Sequence, residues 1–255
     1  MGMHERFRLD GKVALVTGGG KGIGRGIALA FAECGADVAV LARRSEDVEA
    51  VAREIEKRGR RALAIAGDVL DDAVLPAALD RTVAALGAID IMVNNAGGNL
   101  DRRQHSLSEI TLQKWDEQIA LNLRHKFYGA QQAALRMKNG GRIINIVSVA
   151  AHRASPGFGA YSTANNGAIA LTRTLAAELG PRGITVNCIA PGVIFTEMLA
   201  ETLNVGEEAA QKTFAPTIPL GRVGTPEDTA AAAVFFASPA AEWTTGQCLT
   251  VAGGP

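Results

Sequence analysis

Short, uninterrupted apolar runs alternate with longer segments of helical period along the whole chain, and this alternation constrains the fold most. The runs lie at 13–17, 38–41, 62–66, 89–93, 142–147, 185–189 and 248–251. The helical segments lie at 23–34, 46–57, 73–86, 112–137, 160–179 and 226–237. A strand with one wet face alternates apolar and polar residues, whereas one apolar throughout is covered on both faces, as in a parallel sheet between helices. Right-handed crossovers then predict a single-domain α/β fold over residues 1–255. It should be a Rossmann-like, doubly wound parallel β-sheet of about seven strands with helices on both faces. Ligands of such sheets bind beyond the carboxyl ends of the strands, so candidate site residues should follow the apolar runs directly.

Composition removes several function classes. The 255 residues are 47% hydrophobic and 20% charged, enough for a large core and too apolar for disorder. Lys+Arg and Asp+Glu balance at 26 each, which argues against a polyanion-binding surface, so no nucleic-acid partner is expected. No apolar run reaches about 18 residues, so no membrane span is expected. The opening MGMHERFRLDGK lacks the apolar core of a secretory leader. Cys34, Cys188 and Cys248 lack metal-binding spacing, and no histidine pair has helical ligand spacing. A cytoplasmic protein with reduced thiols and no metal site is expected.

After the first run comes TGGGKGIG. Gly18, Gly22 and Gly24, with Lys21 and Ile23 between them, form a tight strand-to-helix turn. Without Cβ atoms, such a turn lets backbone approach a pyrophosphate, and the helix N-terminus behind it attracts the phosphate charge. A strand before the turn and a helix after it point to a dinucleotide site. The second run ends in VLARRSED. Ala42 stands where an acidic residue would hold the adenosine ribose, and Arg43 and Arg44 follow. With Lys21 they suit a 2′-phosphate, so NADP(H) is preferred and NAD(H) remains possible. The plainer alternative is a pair of solvated arginines at a helix start.

At this point the chain resembles the short-chain dehydrogenase/reductase family, over nearly its whole length. TGGGKGIG resembles the family's glycine turn, GDV at 67–69 its adenine-contacting segment, NNAG at 94–97 the motif after the fourth strand, and PGVIFT at 191–196 the nicotinamide loop. GRVGTPEDTA and TGQCLTVAGG resemble C-terminal signatures. The resemblance implies cofactor contacts at Asp68, Val69, Asn95, Ala96, Gly97, Pro191, Gly192, Ile194 and Thr196. It also implies a catalytic Asn, Ser, Tyr and Lys. Asn122, Ser148 and Tyr161 match, but the lysine position, four residues after the tyrosine, holds Asn165. A homo-oligomer, tetramer or dimer, is implied, with 112–137, 160–179 and 243–255 as contact faces. Residues 197–220 correspond to a mobile substrate lid.

The departure at Asn165 bears directly on the chemistry. Hydride passes between nicotinamide and a carbonyl or alcohol carbon, and a tyrosine hydroxyl exchanges the proton. Tyrosine titrates near pH 10 on its own, and a cation at contact distance lowers such a pKa by about 1–3 units. Asparagine is neutral. Together with Tyr161 it can still contact the nicotinamide ribose, but it cannot supply that field. The site is therefore impaired, or takes its cation from elsewhere. His152 and Arg153, between Ser148 and Tyr161, could reach its mouth, but a solvated loop is the plainer account of them. Arg102, Arg103 and His105 in the 98–106 stretch could attract an anionic substrate, or also be solvated. The leading reading is an NADP(H)-dependent oxidoreductase acting on a small carbonyl or alcohol. Two others stay open: a dinucleotide-binding protein with little or no catalysis, and a chain whose Asn165 is an introduced substitution.

Overall fold

The computed structural model describes residues 2–99, 106 and 108–254. Seven strands form one sheet: β1 (Val13–Thr17), β2 (Asp37–Ala42), β3 (Ala62–Ala66), β4 (Ile91–Asn94), β5 (Arg142–Ile146), β6 (Thr185–Pro191) and β7 (Cys248–Val251). Their order is β3-β2-β1-β4-β5-β6-β7, and every neighbouring pair is parallel. The chain winds outward from β1 to β3, then returns to lay β4 against the other side of β1. The crevice at that reversal is where such sheets hold ligands.

The helices are α1 (Gly22–Glu33), α2 (Ser45–Glu56), α3 (Val74–Leu86), α4 (Leu112–Ile119), α5 (His125–Arg136), α6 (Gly159–Leu179), α7 (Glu197–Leu203), α8 (Glu207–Phe214) and α9 (Pro226–Ala237). Successive strand residues point to opposite faces, which splits the core in two. Val16, Val38 and Ile91 pack on one face with Ile27 and Phe31 of α1, Ile55 of α2 and Phe236 of α9. Leu15, Leu41, Met92 and Ile143 pack on the other with Leu79 of α3, Ala133 of α5 and Leu175 of α6. Each fully buried side chain of this kind contributes about 1.5–3 kcal/mol. β1, β4 and β6 are buried throughout, while β3 and β7, at the two edges, are only partly covered.

The structure redraws several element boundaries. The segment 112–137 is not one helix: a π-helical turn, Ala120–Arg124, separates α4 from α5. The fourth strand begins at Ile91 and runs through Asn94, and β6 continues to Pro191 because Val251 pairs with it there. Within 197–220 lie two short helices, α7 and α8, separated by Asn204, whose φ of 52° is left-handed. Among the described residues, no helix is long and apolar enough to cross a membrane.

Candidate active site

The glycine turn, the NNAG loop and β1 form one hydrogen-bonded unit. The Thr17 hydroxyl donates to the Val93 carbonyl at 3.2 Å and accepts the backbone N–H groups of Asn95 and Ala96 at 3.0 and 3.1 Å. The Asn95 side chain donates to the carbonyls of Thr17 and Gly18 at 2.9 and 3.2 Å. Gly18 has a φ of 62°, and a methyl group there would lie 2.8 Å from Asn95 Nδ2 and 3.0 Å from Ala96 Cα. A methyl on Gly24 would strike the Gly18 carbonyl. Only glycine permits this approach.

The residues present fit a dinucleotide. No side chain caps α1 and no acidic residue stands in its first turn, so its leading N–H groups can receive phosphate. Ile23 packs against the core at the start of the helix. At the end of β2, Arg43 is exposed, while Arg44 pairs with Asp47 at 2.6 Å and Lys21 reaches the same carboxylate at 3.6 Å. Two cations thus share the Asp47 carboxylate, with Arg43 next to Arg44 in the chain. Asp68 accepts the Leu70 N–H at 3.0 Å, and Val69 is buried beneath it.

The 191–196 loop arches over the turn. The Gly192 N–H donates to the Val251 carbonyl at 2.9 Å, and Phe195 N–H to that of Gly224 at 2.9 Å. A methyl on Gly192 would meet Ala252 at 2.8 Å. Ile194 is buried, and Thr196 caps α7 by accepting the Leu199 N–H at 3.2 Å. A methyl on Gly22 would lie 3.1 Å from Thr196 Cγ2, so loop and turn bound one groove, lined also by Arg25, Phe195 and Glu197. Met198 of α7 stands over Gly98, where an added methyl would lie 3.3 Å from its sulfur.

Ser148 follows β5 and accepts the Ala150 N–H at 3.2 Å. Tyr161 lies in the first turn of α6. Burial raises its phenol above the ordinary tyrosine value, while hydrogen bonds with Ser148 and Asn165 pull it back. Asn165 is 1% exposed and donates through Nδ2 to the Tyr161 carbonyl at 2.9 Å. Asn122 lies in the π-helical turn, also 1% exposed. Its Nδ2 donates to the Gly98 carbonyl at 3.0 Å and to Gln118 Oε1 at 2.8 Å, and its Oδ1 accepts the Gly98 N–H at 2.9 Å. The Asn122 side chain thus clamps the loop after β4. Ser148, Tyr161 and Asn165 lie together, and Asn122 holds the loop that carries Gly97.

His152 lies with its Nε2 3.4 Å from Cys248 Sγ on β7, and Arg153 is exposed. Hydrogen bonding with Cys188, and then with His152, draws the Cys248 thiol below its ordinary value. Arg102, Arg103 and His105 lie outside the described residues. Among the described residues, no group of three or more His, Cys, Asp or Glu could hold a metal.

Sequence reasoning passed over Lys126. It is 1% exposed on α5, one turn beyond Asn122, and its Nζ donates to the Ala96 carbonyl at 3.4 Å. A methyl on Gly97 would lie 3.0 Å from Asn122 Oδ1 and 3.4 Å from Lys126 Nζ. Burial pushes the ammonium down to about 7. The available signal was a lysine four residues after Asn122, on the inward stripe of its helix.

Comparison with known proteins gives this arrangement its class. A family model described as enoyl-(acyl carrier protein) reductase matches residues 18–255. The D-threitol dehydrogenase of Mycolicibacterium smegmatis is 41% identical over 97% of this chain and 94% of its own. A 7α-hydroxysteroid dehydrogenase solved with NADH and 7-oxo glycochenodeoxycholic acid superposes with a TM-score of 0.91 at 36% identity, covering 100% of this chain and 98% of that one. A short-chain dehydrogenase from Burkholderia cenocepacia J2315 in complex with NADP gives 0.87 at 39% identity, covering 97% and 98%. The chain belongs to the short-chain dehydrogenase/reductase family. It is an oxidoreductase with an NAD(P)-binding Rossmann-like fold.

Proposed function

We propose that this protein interconverts a carbonyl and an alcohol on a small molecule, with NADP(H) preferred over NAD(H). The observation that carries the reading is Tyr161 on α6, whose phenol, raised by burial, is pulled back by hydrogen bonding with Ser148 and Asn165. When bound, the nicotinamide supplies or accepts the hydride. Tyr161 gives the proton to the developing alkoxide oxygen, or removes it in the reverse direction. Ser148 orients that oxygen by hydrogen bonding. Gly18, Gly22 and the open start of α1 take the pyrophosphate, and Arg43, Arg44 and Lys21 take the 2′-phosphate. Residues 197–220 act as the substrate lid, with Met198, exposed on α7, over the entrance. We place the protein in the cytoplasm, as a homo-oligomer.

The test is NADPH consumption on a broad carbonyl panel, with the Asn165→Lys variant measured beside the natural chain. Turnover by the natural chain supports the reading. Cofactor binding without turnover, when Asn165→Lys is active, favours the second reading: a dinucleotide-binding member that has lost catalysis. Asn165 is what keeps that reading in play, because a lysine there is what the family resemblance implies.

A further inference from the structure

Two of the three cysteines meet at one edge of the sheet. Cys188 of β6 and Cys248 of β7 are direct register partners, so their side chains leave the same face. Neighbouring strands lie about 4.7–4.9 Å apart, inside the Cα separation of about 4.4–6.8 Å that a disulfide spans. Both thiols are free. Cys188 is fully buried with Ala168 and Ile169 of α6. Cys248 packs against the same cluster and stays partly open to solvent. A shielded thiol thus stands directly across from one that a small reagent can reach.

A thiol in apolar surroundings is ordinarily inert, because burial holds its proton on. Cys34 is of that kind, raised by burial. Cys248 keeps different company. His152 approaches it from the connection between Ser148 and α6, with Nε2 3.4 Å from the sulfur. A thiolate carries no proton, so against it this nitrogen donates. Cys188 hydrogen-bonds to the same sulfur from β6. That bond, with the smaller help of His152, outweighs desolvation and draws Cys248 down to about 6. The same bond, with burial, raises Cys188, which stays a thiol. Arg173, exposed on α6, adds a weaker positive field. The titratable groups acting on Cys248 are therefore Cys188 from β6, His152 from the loop after β5 and Arg173 from α6.

Packing accounts for Cys188, but not for an ionisable partner with a histidine on its outer side. We propose that Cys188 and Cys248 are a redox-active pair that a hydroperoxide oxidises to a reversible disulfide, with His152 positioning the attacking sulfur. This modification site does not depend on the oxidoreductase reading. The Cys248 thiolate attacks one peroxide oxygen. An S–O bond forms, the O–O bond breaks, and the departing hydroxide or alkoxide takes a proton from solvent. Cys248 is then a sulfenic acid. The Cys188 thiol attacks that sulfur. The S–S bond forms, the S–O bond breaks, and the hydroxyl leaves as water with the Cys188 proton. The two sulfurs lose two electrons and the hydroperoxide gains them. An external dithiol reverses the change by thiol–disulfide exchange. In a reducing compartment the dithiol is the resting form.

The experiment uses the full natural chain, reduced and then freed of reductant. Brief iodoacetamide treatment between about pH 5 and pH 9, read by peptide mass spectrometry, gives the alkylation rate of each cysteine. The Cys248 rate should reach half its plateau at about pH 6, and at neutral pH should exceed that of Cys34 about tenfold or more. His152→Ala, a change at an exposed residue, should move that midpoint upward. Stoichiometric hydrogen peroxide should then join the Cys188 and Cys248 peptides, and dithiothreitol should separate them. Cys188→Ala should instead accumulate a dimedone-reactive sulfenic acid at Cys248, and Cys248→Ala should leave Cys188 unoxidised. Alkylation of Cys248 no faster than of Cys34 would overturn the proposal. So would oxidation of Cys248 to sulfinic acid without linkage to Cys188, or linkage between two chains instead of within one. The natural chain alone decides these outcomes, even where a variant at the buried Cys188 does not fold.

Discussion

At the scale of the residue, the cofactor end of the site was legible and the proton end only partly so. Gly18, Gly22 and Gly24 announce themselves because a turn that must approach phosphate tolerates no Cβ. The two arginines after β2 are equally plain, because charge is visible in a sequence. Their pairing is not: Asp47 holds Arg44 and Lys21, and Arg43 is left exposed. Arg43 is therefore the residue on which discrimination between the two cofactors should rest most. Charge-assisted hydrogen bonds contribute about 1.5–3 kcal/mol. Arg43→Ala should reduce the NADPH-over-NADH ratio of kcat/KM about tenfold or more, with little change in the NADH value itself. Equal losses with both cofactors would show that Arg43 does not read the 2′-phosphate. Lys126 was missed for the opposite reason. A lysine on a helix is by default a solvated side chain, and only packing shows that this one has no solvent to reach.

At the scale of the element, local rules predicted strands and most helices well, because burial on both faces leaves a clear apolar run. They failed at 112–137. One extra residue in a π-helical turn carries no compositional mark, yet it re-aims everything after it by a large fraction of a turn. Here it sets Asn122 into the loop after β4 and Lys126 behind it. The start of α9 shows the reverse, a terminus written in full. Thr225, Pro226 and Asp228 give cap, first helical residue and capping partner, and Asp228 accepts the Thr225 N–H at 2.8 Å. Arg222 beside it, ahead of the capping bonds, holds the Asp228 carboxyl down to about 2. A depressed carboxylate pKa adds stability above its unfolded value, near 4, and loses it as the pH falls through the folded value. Asp228→Asn should therefore cost about 1 kcal/mol at pH 7 in urea denaturation. That difference from the natural chain should vanish towards pH 2. A pH-independent difference would assign the loss to altered packing rather than to the charge.

At the scale of the whole molecule, the parallel sheet between helices follows from the alternation of runs and helices, while the surface does not. Nothing in a single sequence separates an apolar residue that faces water from one that faces a second copy. In the structure, Leu112 and Leu135 are 83% and 71% exposed and Phe127 is 43% exposed, all on α4 and α5. Trp243 is 98% exposed shortly before β7, an edge strand with one side unpaired. Isolated exposed apolar residues need no explanation, but several on one helix pair together with a bare tryptophan are the faces on which we propose that a second copy packs. Closed symmetry would use each surface as a self-complementary face, so two distinct faces generate a tetramer from dimers. Sedimentation velocity at micromolar concentration should give a tetramer, or a dimer if only one face engages. Leu135→Asp and Trp243→Ser should each reduce the assembly by removing one face, and the pair together should leave a monomer. A natural chain that sediments as a monomer would refute the association. Single variants that leave the assembly intact would place its contacts elsewhere on the surface.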